Sequence, residues 1–128
     1  MGAERADHVV ALQAALLRAA GEFGAGAAFD DLRPRVLATA AALDYVLMLA
    51  RGAAGARIPE RDAERAMHEG LARAVDDLIA AATAIASSGA PGAAAFARET
   101  AQSLLRVLRE ESLDGDERRF AVIALANA

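Results

Sequence analysis

Three glycine-rich breaks divide this sequence into long segments that have the periodicity of α-helices. The breaks are residues 21–31 (GEFGAGAAFDD), 51–62 (RGAAGARIPERD) and 87–92 (SSGAPG). Between them, apolar residues recur at steps of three and four, which places them on one face of a helix. The β-branched residues are few and never alternate with polar ones, so no strand is predicted. The pattern predicts helices over about 3–22, 31–54, 59–87 and 92–111, and a short one from near Asp114.

The lengths of these segments and of their connections predict the architecture. Short connections make consecutive helices antiparallel neighbours. We therefore predict an all-α fold, an antiparallel up-and-down four-helix bundle with a short fifth C-terminal helix, in a single domain over residues 1–128. We expect Asp30 or Asp31 to cap the second helix, Pro59 to begin the third, and Asp114 with Glu117 to form a capping box on the last.

The composition argues against several classes of partner and site. The net charge is −4 and no strongly basic stripe is visible, so nucleic acid is not expected as a main partner. Cysteine is absent, which excludes disulfides and thiolate metal sites. All 14 basic residues are Arg, and Ala makes up more than a quarter of the chain. Together they indicate GC-rich coding and a bacterial source.

The distribution of apolar residues argues against a membrane protein. Charged residues precede any apolar run at the N-terminus, which is not the pattern of a secretory signal. The most apolar run, residues 36–50, is shorter than the roughly 20 residues that cross a bilayer. We expect a cytoplasmic protein that has no membrane partner.

The run 36–50 (VLATAAALDYVLMLA) is apolar around most of its predicted helix, with Asp44 in its centre. A helix of this kind is usually buried on more than one side. One face fits the bundle core, and either the fifth helix or a second copy of the chain must cover the back. We expect a homodimer. The predicted interface residues are Leu37, Asp44, Tyr45, Met48, Leu49 and Arg51.

Asp44 lies at the seam between the two faces of this helix. The favoured interpretation is a charge at the rim of the interface, paired with Arg51 or with an Arg of a partner, because buried charges need partners. A catalytic or ligand-binding Asp44 is the alternative. With no catalytic signature elsewhere, the sequence favours a protein–protein interaction or oligomerisation module, without catalysis and without a cofactor.

A second interpretation comes from the stretch R61-D-A-E-R-A-M-H68. It is similar to the R-x(4–6)-H signature of HEPN-type ribonucleases, which are helical bundles that dimerise to build a composite site. The resemblance implies that Arg61 and His68 act on RNA. The match covers eight residues of the chain.

The two histidines suggest a third interpretation, a metal site. They form the pairs Glu4/His8 and Glu64/His68, each with a spacing of one helical turn, which can place two ligands on one metal. The first and third helices of an up-and-down bundle begin at the same end, so the pairs could meet. The simpler interpretation is two exposed Glu–His pairs. A sensor that holds a small apolar ligand in an Ala-lined interior is a further alternative.

The third predicted helix also carries a row of charges with alternating sign. Arg65, Glu69, Arg73 and Asp77 follow one another at steps of four. Residues at this spacing are neighbours on a helix surface and form ion pairs. The row predicts a solvent-exposed flank on this helix.

Overall fold

A computed structural model describes residues 2–52 and 58–128, all but the side chains of residues 2 and 3. Over these ranges the chain forms helices and no strand, so the all-α prediction is confirmed, as is a bundle with a short C-terminal helix. The helices are α1 (Gly2–Glu22), α2 (Ala27–Asp30), α3 (Arg33–Ala50), α4 (Glu60–Ser88), α5 (Ala93–Glu110) and α6 (Asp116–Ala126).

Contacts between side chains show that the long helices alternate in direction. Arg35 near the start of α3 pairs with Asp77 of α4, while Val46 near the end of α3 lies beside the earlier Gly70, so α3 and α4 are antiparallel. Likewise, Arg5 near the start of α1 pairs with Glu111 at the end of α5, and Arg18 near the end of α1 pairs with Glu99 near the start of α5. Helix α4 is central, because it packs against α1, α3, α5 and α6. The starts of α1 and α4 lie at the same end, as the up-and-down topology predicts.

One continuous apolar core joins the helices. Small side chains on α4, among them Ala74, Ala81 and Ala82, are fully buried and allow its neighbours to approach closely. Larger side chains fill the remaining space. The largest that are fully buried are Phe96, Leu12, Leu16, Leu43, Leu71, Leu78, Ile85, Leu104, Leu108, Val9, Val36 and Val75.

The start of α3 differs from the prediction. Its N-cap residue is Leu32, and no side chain caps it. The chain first forms the one-turn helix α2, which buries Phe29, ends at Asp30 and has Asp31 as its C-cap. The predicted cap by either aspartate is therefore wrong, because the glycine-rich break contains a helical turn of its own.

The starts of α4 and α6 both differ from the prediction. Pro59 is the N-cap of α4 and Glu60 is its first residue, so the helix begins one residue later than predicted, with Glu60 and Asp62 in its first turn as expected. The N-cap of α6 is Gly115, and it makes no side-chain hydrogen bond. The predicted box of Asp114 and Glu117 is therefore wrong, since the helix begins after Gly115.

The predicted row of exposed charges on α4 ends at Asp77, which is only 4% exposed. The expectation that Asp77 is exposed to solvent is wrong, because α3 covers that flank of α4. The Asp77 carboxylate accepts hydrogen bonds from the Thr39 hydroxyl and from Arg35 Nε, the latter at 2.7 Å. Its predicted neighbour Arg73 lies farther away, with Nε 3.9 Å from Oδ2. The carboxylate links α3 to α4.

Candidate functional site

Large apolar side chains are exposed on the outer surfaces of α1 and α3. They are Val10, Leu17, Leu37, Tyr45 and Met48, each between 37% and 50% exposed. Seven residues separate the two on α1, and steps of eight and three separate those on α3, so each set lies on one side of its helix. We call these five residues the α1–α3 face.

A pair of hydrogen bonds shows that the two halves of this face are adjacent. Gln13 Nε2 donates to the carbonyl oxygen of Ala40 at 2.7 Å and to Asp44 Oδ1 at 2.8 Å. These contacts fix the antiparallel register of α1 against α3. At 1.5 Å per residue, they place Val10 level with Tyr45. The same register brings Leu17 level with Leu37.

Asp44 lies at the surface of this seam and is exposed. Within residues 4–52 and 58–128 its carboxylate makes no salt bridge, so the structure does not join it to Arg51 of the same chain. Its hydrogen bond comes from Gln13 instead. An exposed carboxylate at the centre of an apolar face remains available to a cation of another molecule.

The remaining predicted interface residues divide into two groups. Leu37, Tyr45 and Met48 are at the surface, because α6 packs on α5 and α4 and leaves α3 uncovered. Leu49 is 5% exposed and belongs to the core. The expectation that it lies behind the core is wrong. Arg51 follows α3 as its C-cap residue and is exposed.

A second feature is a cleft of about 830 Å³ at the end of the bundle where α1 and α4 begin. Its floor is apolar and includes Leu49, Ile58, Ala63 and Met67. Charged side chains surround this floor. They are Glu4, Glu60, Glu64, Glu110, Glu111, Arg5 and Arg51. We call this feature the end cleft.

Arg5 connects three helices beside the end cleft. Its Nη1 donates to both carboxylate oxygens of Glu64 at 2.9 Å, and its Nε donates to Glu111 Oε1 at 3.0 Å. Burial alone would lower the pKa of Arg5, but the hydrogen bonds to Glu64 and Glu111 outweigh that effect and raise it. Arg5 is therefore cationic and links α1 to α4 and to the end of α5.

His8 lies next to Arg5 and is buried, with 6% exposed. Its Nδ1 is 2.8 Å from Glu111 Oε2, and its Nε2 is 2.7 Å from Glu110 Oε2. The second contact is too oblique to be a hydrogen bond and leaves Nε2 without one. The expectation of an exposed pair with Glu4 is wrong for His8, because the end of α5 covers this flank of α1.

Glu110 lies between Arg106 and His8. Arg106 Nε donates to its Oε1 at 3.2 Å, and the His8 ring faces its other oxygen. Desolvation alone would raise the pKa of Glu110, but Arg106 and His8 outweigh it and lower the pKa below its ordinary value of 4.5. The charged form of Glu110 is thus favoured in the folded protein.

The lowered pKa of Glu110 predicts a pH dependence of stability. A carboxyl whose pKa is lower in the folded state stabilises the fold above its unfolded pKa, and this contribution disappears as pH falls through the folded value. We expect Glu110→Gln to be less stable than wild type at pH 7 and to approach it below about pH 4.5. Urea unfolding from pH 7 to pH 3.5 measures the difference. A difference that stays constant over this range would contradict the prediction.

The structure separates the other predicted site residues. Arg61 and His68 are both exposed on α4, about 10 Å apart along the helix axis. Glu64 points to Arg5, and His8 faces α5, so the two Glu–His pairs do not converge. Among the described residues, no group of three or more His, Asp or Glu side chains is placed to hold a metal ion.

One groove between helices bears on the alternative of a small apolar ligand. A groove of about 250 Å³ lies between α1 and α5 and is lined by apolar side chains such as Leu12, Phe96 and Val107. Arg18 lies over the Phe96 ring, 5.3 Å from its centroid. Ala11, Ala14 and Ala15 also line this groove, together with Leu78 of α4.

Comparison with known protein families, curated proteins and solved structures finds no match for this chain. In the two ranges that the structure describes, no helix has both the length and the apolar character of a bilayer span.

Sequence reasoning missed part of both sites. Val10 and Leu17 lie seven residues apart and off the main stripe of α1, and that spacing is a signal that could have placed them on one outer surface. The link between Arg5 and Glu111 joins residues 106 positions apart, so no local pattern announces it. Their meeting depends on how α1 packs beside α5.

Proposed function

We propose that this protein is a helical oligomerisation module that forms a homodimer through the α1–α3 face. The observation that carries the proposal is the exposure of five large apolar side chains on two adjacent helices. Monomeric soluble proteins rarely expose large contiguous apolar patches, and such patches usually mark interaction sites.

The size of the face supports a second copy as its occupant. Helix α3 has 18 residues and is therefore about 27 Å long. Two helices packed about 9 Å apart present an outer surface about 20 Å wide. The projected area is about 540 Å², and the accessible area of its side chains is larger. A standard interface buries about 800 Å² on each partner, so the face is of a suitable size.

The shape of the face also suits self-association. Two copies related by a two-fold axis would place two helices against two helices, and each residue of the face would contribute twice. Exposed alanines at 14 and 41 lie between the larger side chains and allow close approach. Asp44 would then meet a cation of the second copy, and Arg51 at the end of α3 is the nearest candidate by sequence.

The test is the oligomeric state of Met48→Arg, measured by sedimentation equilibrium and native mass spectrometry. We expect wild type to be dimeric and Met48→Arg to be a folded monomer. A charge buried without a partner costs about 3–5 kcal/mol, which weakens the dimer by about 100-fold or more. Circular dichroism would verify that the variant keeps its helices.

Leu105→Arg is the matched control, because Leu105 on α5 is also 37% exposed and lies outside the α1–α3 face. We expect this variant to remain dimeric. A monomeric wild type would refute the proposed function. A dimeric Met48→Arg would show that the chain associates through another surface.

A further inference from the structure

We propose that the end cleft is a binding site for an organic cation that carries an apolar body, such as an alkylamine or arylamine. This site contains none of the five residues of the α1–α3 face, and among its lining residues only Arg51 also enters the proposed dimer. The inference therefore does not depend on the proposed dimer, and its test has a separate readout.

The shape and floor of the end cleft suit a small organic molecule. Its volume of about 830 Å³ is within the range of roughly 300–1,000 Å³ that is usual for ligand pockets. Leu49 and Met67 in the floor are nearly buried, so the apolar surface is recessed below the charged rim. Pockets of this kind bury the body of a ligand and orient it by a few polar groups.

The charges around the cleft select a cation. Among the described residues, five glutamates and two arginines line it, and together these seven side chains carry a formal charge of −3. Arg5 is already engaged by Glu64 and Glu111, so its charge is neutralised from within the chain. An anion entering the cleft would meet an excess of carboxylates, whereas an ammonium group would be attracted by them.

Two carboxylates of the rim are the most available to a ligand. Glu4 and Glu60 are exposed, and within the part of the chain that the structure describes neither makes a salt bridge. They belong to the first turns of α1 and α4, which begin at this same end. An ammonium group placed between them would have the apolar floor below it for the rest of the molecule.

Other ligand chemistries fit less well. A neutral apolar molecule would fill the floor and leave the carboxylates of the rim without a role. A bare metal ion needs three or more ligands, and no such group is present among residues 4–52 and 58–128. An amine with an apolar body uses both the floor and the rim.

The experiment compares three probes that share a phenyl ring: 2-phenylethylamine, 2-phenylethanol and 3-phenylpropanoate. Each is titrated at pH 7 into the full chain labelled with ¹⁵N, and amide shifts are followed. We expect saturable shifts with the amine at residues 49–52, 60–67 and 110–111. The alcohol should bind about tenfold more weakly, because charge-assisted hydrogen bonds are lost. The carboxylate should produce no saturable shift.

Matched variants distinguish the cleft from the general negative charge of the protein. The pair Glu4→Gln/Glu60→Gln should weaken binding of the amine about tenfold. The pair Asp62→Asn/Glu69→Gln removes the same charge from exposed positions of α4 that do not line the cleft, and it should leave the affinity unchanged.

Four outcomes would overturn the proposal. One is the absence of a saturable shift with the amine at its highest soluble concentration. Another is equal binding of the alcohol, which would indicate an apolar site only. If 3-phenylpropanoate binds as tightly as the amine, the cleft does not select a cation. Equal weakening by both pairs of variants would assign the effect to the overall charge.

Discussion

Gly70→Ala is expected to destabilise the protein by about 1–3 kcal/mol, whereas Gly21→Ala is expected to stabilise it by about 0.5–1 kcal/mol. Both glycines are helical, Gly70 within α4 and Gly21 near the end of α1. Ala is the better helix former at either position. The opposite signs come from what each new methyl group would meet.

At Gly70 an added Cβ would collide with Cγ2 of Val46, across the contact between α3 and α4. Val46 is 4% exposed and β-branched, so its side chain has little freedom to rotate away. The helices would have to separate, and overpacking of this kind costs more than the helix propensity of Ala returns. At Gly21 nothing lies within 4 Å of the new atom.

Chemical denaturation of the single variants and of Gly70→Ala/Val46→Ala measures these effects. Removing the valine methyls makes space for the new alanine, so the double variant should be more stable than the sum of the single changes predicts. We expect a coupling energy of about 1–3 kcal/mol. If Gly70→Ala stabilises the protein as Gly21→Ala does, then α3 and α4 do not approach each other at Gly70 as described.

The helices could be predicted from the sequence because their signal is local. Apolar spacing and glycine-rich breaks placed all four long helices and the short last one to within a few residues. The flank of each helix that a neighbour covers has no such signal. Asp77 and His8 carry charge or polarity, so both were expected at the surface, yet α3 covers Asp77 and α5 covers His8. Burial of such residues depends on partners distant in the sequence.

The candidate sites were predictable to different degrees for the same reason. The run 36–50 indicated an apolar back on its helix, and Leu37, Tyr45 and Met48 are indeed exposed there. The end cleft could not be predicted, because four helix ends form it together. The spacing of Glu64 and His68 suggested that they act as a pair. In the structure Glu64 instead forms a salt bridge with Arg5 of α1.

Asp77→Ala is expected to destabilise the protein by about 2–4 kcal/mol, and Asp76→Ala by at most about 1 kcal/mol. The two aspartates are consecutive in α4, so the gain in helix propensity is the same for both and cancels in the comparison. Urea denaturation at pH 7 gives both free energies of unfolding. Asp76 is exposed and pairs with Arg118 at the surface, where ion pairs contribute little.

The larger effect at Asp77 comes from Thr39 and Arg35, which would lose the carboxylate as their hydrogen-bond acceptor. The Thr39 hydroxyl is buried and would have no carboxylate acceptor, which costs more than the loss of a hydrogen bond in water. Arg35 is 48% exposed and can return to solvent, so it contributes less. Thr39→Val with Asp77→Ala removes both buried polar partners, and the double variant should therefore be more stable than the sum of the two single changes predicts.

The salt dependence of stability also distinguishes Asp76→Ala from Asp77→Ala. Raising the ionic strength to 1 M shortens the Debye length to about 3 Å and screens the pair of Asp76 with Arg118. The cost of Asp76→Ala should therefore fall, while that of Asp77→Ala should change little, because α3 shields the buried carboxylate from the ions. Equal costs for the two substitutions at both salt concentrations would mean that Asp77 does not hold α3 against α4. The packing of the α1–α3 face depends on α3 keeping this position, so the substitution at Asp77 should also weaken the self-association that we propose through this face.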